Sequence, residues 1–199
     1  NLDVKIQADG EITVKGPSVF QGYYKDEEKT KEAFTEDGFF MTGDIGHIDA
    51  EGFLHITDRK KEMFKTSGGK YVAPQVLENL AKGSKFIEQI MVVGDGEKMP
   101  CALVQPDYAF AKLWAERKHL KIGKTPEEMA NSPELKARIM KDINLLNATL
   151  GKWEQIKKIE LTPTLWTIED GLLTPTMKLK RKAIKEKFFN LYEKLYDRA

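Results

Sequence analysis

Hydrophobic and polar residues alternate with a period of two in the first part of the chain, which predicts short β-strands joined by turns. Residues 11–15 alternate in this way, and residues 46–49 and 53–56 flank a turn at 50–52, which is typical of a β-hairpin. One short helix, at residues 26–34, is predicted to interrupt the strands, because Asp26 can cap it and acidic residues follow in its first turn.

From residue 71 onwards the pattern changes to helices that alternate with strands. Apolar runs at 90–94 and 102–104 predict buried strands. Apolar residues at spacings of three and four predict a helix that begins after the cap Ser132, and its buried stripe consists of Leu135, Ile139, Ile143, Leu146 and Leu150. A last helix is predicted to begin near Arg181.

These patterns predict an α+β protein with a joint in the middle. Residues 1–58 are interpreted as the end of a β-rich subdomain of a larger N-terminal domain, and residues 71–199 as a small α+β domain. Residues 59–70 combine a charged run with two adjacent glycines, which favours a segment that bends. The chain also starts within a predicted strand, which we take as a sign of a longer protein.

Composition narrows the class of protein but not its chemistry. Hydrophobic residues make up 41% and charged residues 32% of 199 residues, which is typical of a globular protein. The net charge of +1 predicts no general attraction to nucleic acid. A single cysteine excludes a disulfide framework and favours a reducing, cytoplasmic setting, and no apolar run is long enough to span a bilayer.

Four short motifs carry candidate chemistry, although each is weak alone. Asp44 follows Thr-Gly, and its carboxylate could accept bonds from two ribose hydroxyls. Arg59 offers a planar fork to phosphate or ribose oxygens. Gly68 and Gly69 allow close approach of a ligand to the backbone. Lys178 and Lys180 come just before the last helix, and cations at a helix start are disfavoured unless something anionic offsets them.

Each motif also has a plain structural interpretation. Asp44 would then be a turn residue, residues 58–61 a solvated charge run, the two glycines a turn and residues 178–181 a basic helix start. The three tryptophans are interpreted as packing residues, and the histidines and the cysteine show no metal-ligand spacing.

The order and separation of these motifs are more specific than any one of them. Blocks at 10–16, 22–24, 38–44, 58–62 and 68–74 follow one another in a way that closely resembles the adenylate-forming superfamily. The charged block at 58–62, the stretches 68–74 and 147–157 and the segment Leu-Thr-Pro-Thr-Met-Lys at 173–178 are similar to its long-chain fatty acyl-CoA synthetases, the AMP-forming branch.

This resemblance implies a two-step reaction. A fatty carboxylate attacks the α-phosphorus of ATP to give acyl-adenylate and pyrophosphate, and the thiol of coenzyme A then displaces AMP. It also implies Mg²⁺, with its ligands in an N-terminal part that this chain lacks. The partners that it implies are the fatty acid, ATP, coenzyme A and the remainder of the N-terminal domain, with no nucleic acid. Peripheral contact with the inner face of the membrane is a further expectation.

The resemblance also assigns roles to individual residues. Asp44 matches the family aspartate that binds the ribose, and Arg59 the arginine near the nucleotide. Lys61 matches the hinge position, and Gly68 with Gly69 matches the loop that serves thioester formation. Lys178 best matches the catalytic lysine of adenylation, with Lys180 as the alternative, because Thr-Met precedes it where most relatives have Ser-Gly or Thr-Gly.

Two consequences and two alternatives follow. The fragment alone should be inactive, and Lys178 should lie on a different face of the second domain from Gly68–Gly69, so that one domain presents them in turn by rotating. The first alternative is an aryl-CoA or peptide-synthetase-type adenylation domain. The second is a basic module that binds nucleic acid or acidic lipid through its C-terminal lysines.

Overall fold

The computed structural model describes residues 2–60 and 62–198, and the chain divides into two compact units, Asn1–Met63 and Phe64–Ala199. Each unit contains both helix and sheet, which confirms the predicted α+β class. The boundary between the units lies within the segment 59–70 that was predicted to bend.

The first unit is a four-stranded antiparallel sheet with one short helix. Its elements are β1 (Asp3–Ile6), β2 (Glu11–Lys15), α1 (Glu27–Ala33), β3 (Phe40–Ile48) and β4 (Leu54–Arg59), and the strands lie in the order β1-β2-β3-β4. Asp26 caps α1 through its side chain, which accepts a hydrogen bond from the Lys29 amide, as the sequence predicted.

The second unit begins with a small hairpin and continues as a three-stranded sheet covered by helices. Its elements are β5 (Phe64–Lys65), β6 (Tyr71–Val72), α2 (Pro74–Ala81), β7 (Ile87–Val93), β8 (Cys101–Pro106), α3 (Tyr108–Lys118), α4 (Pro126–Ala130), α5 (Pro133–Asn147), β9 (Ile159–Leu161), α6 (Arg181–Lys187) and α7 (Phe189–Leu195). Strands β7 and β8 are antiparallel, and β9 lies parallel to β8.

Two hydrophobic cores cover the two faces of this three-stranded sheet. Side chains alternate between the faces along each strand. Ile90 and Val92 pack in the core formed with α2, α3 and α5, which we call the first core. Met91 and Val93 pack in the core formed with α6 and α7, which we call the second core. The sheet therefore separates two sets of helices within the unit.

Three local predictions were wrong or incomplete. The last helix is divided at Phe188, whose backbone is not helical, into α6 and α7. The short helix α4 was not predicted, although Thr125 and Glu128 form a capping box at its start. Leu150 was predicted to belong to the buried stripe of the helix after Ser132, but it lies beyond the end of α5 at Asn147.

None of the helices in residues 2–60 and 62–198 combines the length and the apolar composition that crossing a bilayer requires.

Candidate functional site

The Thr-Gly-Asp motif at 42–44 forms a bulge in the sheet of the first unit. Strand β2 pairs with β3 at Glu11↔Ile45 and again at Thr13↔Met41, so three residues of β3 lie opposite one residue of β2. A bulge of this kind interrupts the ladder and redirects side chains, and such bulges are common beside functional sites. The backbone groups of this bulge must therefore find other partners.

Side chains supply those partners. The Thr42 hydroxyl donates to the Ile12 carbonyl at 2.6 Å and accepts from the Asp44 amide at 3.1 Å. The Gly43 amide donates to a carboxylate oxygen of Glu11 at 2.9 Å. Gly43 has a φ of +72°, a conformation that glycine adopts without strain, although an added Cβ would meet no atom within 4 Å. The glycine is thus required by the backbone and not by a lack of space.

Asp44 and Arg59, the two predicted nucleotide-binding residues, lie together. They are directly opposite each other in β3 and β4. The Arg59 Nε lies 3.0 Å from Oδ1 of Asp44, and the two side chains are 61% and 25% exposed. The pair can therefore present both a fork of donors and a carboxylate to solvent. Lys61, the predicted hinge residue, lies outside the described residues.

Lys60, which the sequence analysis did not single out, supports this bulge. Its ammonium lies 2.7 Å from Oδ2 of Asp9 and 2.7 Å from Oε2 of Glu11, and its amide donates to the Gly43 carbonyl at 2.8 Å. The hydrogen bonds that Lys60 donates to Asp9 and then to Glu11 raise the pKa of Lys60, and the hydrogen bond that Asp9 accepts from Lys60 lowers the pKa of Asp9. The ammonium therefore stays charged near neutral pH.

Lys178 is exposed at the end of a tight turn in the second unit. The Thr174 amide donates to the Lys178 carbonyl at 2.8 Å, and the Lys178 amide donates to the Thr174 hydroxyl at 3.0 Å. No ion pair holds the Lys178 ammonium within the part of the chain that the structure describes. Lys180 is also exposed and occupies the N-cap position of α6, where its side chain makes no capping hydrogen bond. The turn therefore presents the ammonium of Lys178 from a fixed backbone.

The same turn occurs at five places in the described residues. In each, the amide of the first residue donates to the carbonyl of the fifth, and the amide of the fourth donates to the carbonyl of the first. The fourth residue is always left-handed, as expected for a type I turn followed by a bulge residue. The five turns are 7–11, 35–39, 49–53, 66–70 and 174–178, and their fourth residues are Gly10, Gly38, Gly52, Gly69 and Met177.

Met177 therefore occupies a position that glycine occupies in the other four turns. Its φ of +60° places an L-residue in the conformation that a Cβ atom disfavours. Met177 stands where the Ser-Gly or Thr-Gly pair has its glycine. Methionine is therefore tolerated at this position at a cost in backbone strain.

We expect Met177→Gly to stabilise the chain by about 1 kcal/mol, because relief of the left-handed strain exceeds the entropy that glycine adds to the unfolded chain. Urea unfolding followed by circular dichroism would measure the change. Gly69→Met is the matched control in the same unit. An added Cβ there meets nothing closer than Lys65 Cε at 3.8 Å, so the control should lose a similar amount. A lower midpoint for Met177→Gly would contradict the argument.

Gly68 and Gly69 lie in the turn that joins β5 to β6. The Ser67 amide donates to the Glu97 carbonyl at 2.9 Å, which fixes the turn against the β7–β8 connection. A Cβ at either glycine would meet no atom closer than 3.8 Å, so the space over the turn is open. The turn can therefore admit a ligand to its backbone.

Beside this turn, Lys70 Nζ lies 5.5 Å from the ring centroid of Trp153. Trp153 is 48% exposed, which corrects its interpretation as a packing residue. Trp166 is buried in the second core and Trp114 packs against the first, so that interpretation holds for those two. An exposed indole with a cation over it is a surface on which a flat, anionic ligand can rest.

The Lys178 turn and the glycine turn are anchored on opposite faces of the same sheet. Phe64 and Val72, which flank the glycine turn, are buried in the first core. Leu173 is buried in the second core, Leu179 packs against it, and the two residues bridge the ends of the Lys178 turn. The three-stranded sheet therefore lies between the two anchoring points.

A buried ion pair that the sequence did not predict fixes the start of α6. Arg181 donates from both terminal nitrogens to the Glu78 carboxylate at 2.8 Å each, and Glu78 also accepts from the Val92 amide at 2.8 Å. Burial raises the pKa of Glu78, and the charge of Arg181 opposes that shift. Glu78 is the anionic group that offsets a cation at this helix start. Glu78 and Arg181 are 103 residues apart, so no local pattern indicated this pair.

Similarity to known proteins extends over most of the chain. Residues 62–199 match the family model described as "AMP-binding enzyme C-terminal domain". The chain is 42% identical over 195 residues to the long-chain-fatty-acid–CoA ligase FadD15 of Mycobacterium tuberculosis, covering 98% of this chain and 32% of the relative. It is 43% identical over 193 residues to the long-chain-fatty-acid–CoA ligase 6 of Rattus norvegicus, covering 96% of this chain and 27% of the relative.

Solved structures of adenylation domains share the fold of this chain. The adenylation domain of a carboxylate reductase from Mycobacterium chelonae superimposes with a TM-score of 0.73 at 30% identity, covering 94% of this chain and 28% of that one. The corresponding domain of a carboxylic acid reductase from Segniliparus rugosus, at 24% identity and a TM-score of 0.75, supports the fold alone. This chain spans about a third of the length of the curated relatives.

Proposed function

Because the chain belongs to the family of AMP-binding enzyme C-terminal domains, we propose that it is the C-terminal part of an acyl-CoA ligase. The intact enzyme activates a long-chain fatty acid with ATP and transfers the acyl group to coenzyme A. The observation that carries the proposal is the anchoring of the Lys178 turn and the glycine turn on opposite faces of one sheet. The names of the similar ligases support the fatty acid as substrate.

In the first step, a carboxylate oxygen of the fatty acid attacks the α-phosphorus of ATP, and the bond from phosphorus to pyrophosphate breaks. Negative charge builds up on the oxygens around phosphorus during this exchange, and a fixed cation lowers its energy. We assign that role to Lys178, whose exposed ammonium has no ion-pair partner among the described residues. The rigid turn beneath it limits the entropy lost when the lysine is positioned.

Asp44 and Arg59 are proposed to hold the nucleotide. The Asp44 carboxylate would accept hydrogen bonds from the two ribose hydroxyls, and Arg59 would donate to oxygen atoms nearby. Their separation of 3.0 Å in the first unit means that one nucleotide can contact both side chains.

In the second step, the thiolate of coenzyme A attacks the acyl carbon, a carbon–sulfur bond forms, and AMP leaves with the bonding electrons. We propose that Gly68 and Gly69 border the passage for the pantetheine arm, because the space over both residues is open. Lys70 and Trp153 stand beside that opening and suit the anionic, aromatic end of coenzyme A. Lys178 must first leave the site, and we propose that the second unit rotates about Lys61 between the two steps.

Other parts of the reaction belong to the remainder of the enzyme. We propose that the ligands of Mg²⁺ lie in the N-terminal part of the enzyme. No group of three or more His, Cys, Asp or Glu side chains in residues 2–60 and 62–198 is arranged to hold a metal ion. When bound, Mg²⁺ would neutralise phosphate charge. We propose that the enzyme works in the cytoplasm and meets its apolar substrate at the inner face of the membrane.

The intact enzyme should form acyl-CoA from palmitate, ATP and coenzyme A, whereas the 199-residue chain alone should form none. Thioester formation can be followed by mass spectrometry or by AMP release. Benzoate serves as the comparison substrate. Efficient use of benzoate in place of palmitate would favour an aryl-CoA ligase. Turnover by the 199-residue chain would contradict the proposal that catalysis also needs the N-terminal part of the enzyme.

A further inference from the structure

The backbone of Gly43 is held at its amide by a side chain of β2 and at its carbonyl by the backbone of the residue that follows β4. Its amide donates to Oε1 of Glu11 at 2.9 Å, and its carbonyl accepts from the Lys60 amide at 2.8 Å. Oε2 of Glu11 lies 2.7 Å from the Lys60 ammonium. These three contacts close a ring through Gly43, Glu11 and Lys60, which we call the Gly43 clamp.

The clamp replaces hydrogen bonds that the bulge at 42–44 removes from the ladder. Glu11 is only 4% exposed, and a buried carboxylate without partners is costly, so its two contacts are required wherever it is charged. Lys60 is also bound by Asp9, so its side chain is held from two directions. On the β2 side, the backbone next to Asp44 is therefore fixed by the Glu11 carboxylate that Lys60 holds, whereas on the β4 side Asp44 remains paired with Arg59 in the ladder.

We propose that Glu11 and Lys60 are positioning residues for the nucleotide: through the Gly43 clamp they set the direction of the Asp44 carboxylate toward the ribose hydroxyls of ATP. The proposal rests on the ribose role of Asp44 proposed above. Asp44 follows the clamped glycine directly, and that glycine is in the left-handed region, where small backbone shifts redirect the next side chain. Neither Glu11 nor Lys60 needs to touch the nucleotide.

The test compares ATP with 2′-deoxy-ATP in the intact enzyme, because the missing hydroxyl removes one bond to Asp44. The wild-type enzyme should favour ATP over 2′-deoxy-ATP in kcat/KM by about tenfold or more, the usual size of a charge-assisted hydrogen bond. Lys60→Met should raise the KM for ATP by about tenfold and reduce the preference to about twofold, while the KM for palmitate stays unchanged. Lys60→Arg, which keeps the charge, should restore most of the preference.

Two further variants serve as controls, one for the ribose contact and one for the loss of a lysine. Asp44→Ala should abolish the preference for ATP outright. Lys15→Met removes another lysine of the first unit that donates to a backbone carbonyl, that of Asp37 at 2.8 Å, and should leave the preference unchanged. Circular dichroism establishes that each variant is folded.

The outcomes separate the two levels of the proposal. If Asp44→Ala keeps the preference for ATP, the ribose role of Asp44 is wrong and the clamp loses its purpose. If Asp44→Ala abolishes the preference but folded Lys60→Met retains it, the ribose role stands and the positioning inference is overturned. Equal losses for ATP and 2′-deoxy-ATP in Lys60→Met would also overturn it, because a merely structural role predicts that result.

Discussion

Replacing Lys178 by alanine in the intact enzyme should slow adenylation by about a hundredfold or more, the usual cost of removing one donor aimed at charge that develops in a transition state. Thioester formation from supplied acyl-adenylate should stay within about threefold of the wild-type rate, because the glycine turn is anchored on the other face of the sheet. Stability should change little, since the side chain is exposed. Pyrophosphate exchange and acyl-CoA formation measure the two steps separately.

Lys180→Ala is the matched control for this experiment. Lys180 is a second exposed lysine only two residues away, and the sequence left the choice between the two open. The Lys180→Ala variant should retain most of the adenylation rate if Lys178 is the catalytic lysine. A larger loss in Lys180→Ala would move the assignment to that residue, and equal losses in both half-reactions for Lys178→Ala would contradict the separation of faces.

Much of the fold was predictable because it depends on contacts between residues close in sequence. Asp26, Asp107 and Ser132 each cap the helix that follows them by accepting a bond from a backbone amide three residues later. Leu135, Ile139 and Ile143 are buried at the spacing that the sequence showed. Period-two alternation and helix caps are local rules, and they succeed where tertiary contacts do not override them.

Features that depend on distant contacts were not predictable in this way. The helix breaks at Phe188, and Ile184, Phe188 and Leu195 are all packed in the second core. The position of the break therefore depends on the shape of that core. Likewise, the clamp joins Glu11 to Lys60 across 49 residues. Polar residues in a strand or a charged run give no signal of such pairing.

Within the candidate site, only the features that depend on local sequence were predictable. Asp44 and Arg59 lie opposite each other because the hairpin of β3 and β4, which the sequence predicted, sets their register. The strain at Met177 was detectable in retrospect, since the sequence places glycine at the fourth position of four similar turns. The support around these residues required the folded structure.

Arg181→Met should destabilise the chain by about 3–5 kcal/mol at pH 8, the usual cost of removing one partner from a buried ion pair. The methionine fills a similar volume but leaves the Glu78 carboxylate, whose side chain is 6% exposed, with only the Val92 amide among the contacts described above. Lys182→Met is the matched control. Lys182 is the next residue, its side chain is 91% exposed, and it lies 4.0 Å from Glu186. It should change the stability by less than about 0.5 kcal/mol.

The loss in Arg181→Met should also depend on pH in a defined direction. Burial already raises the pKa of Glu78 above its ordinary value of 4.5, and Arg181 is the largest influence that lowers it. Without Arg181 the folded-state pKa rises further, so the folded variant takes up a proton more readily than the unfolded chain. Its stability is therefore greatest below the unfolded pKa and falls as pH rises through the folded pKa. Urea unfolding should show a smaller loss at pH 5 than at pH 8, whereas equal losses would mean that the carboxylate finds another partner or reaches water.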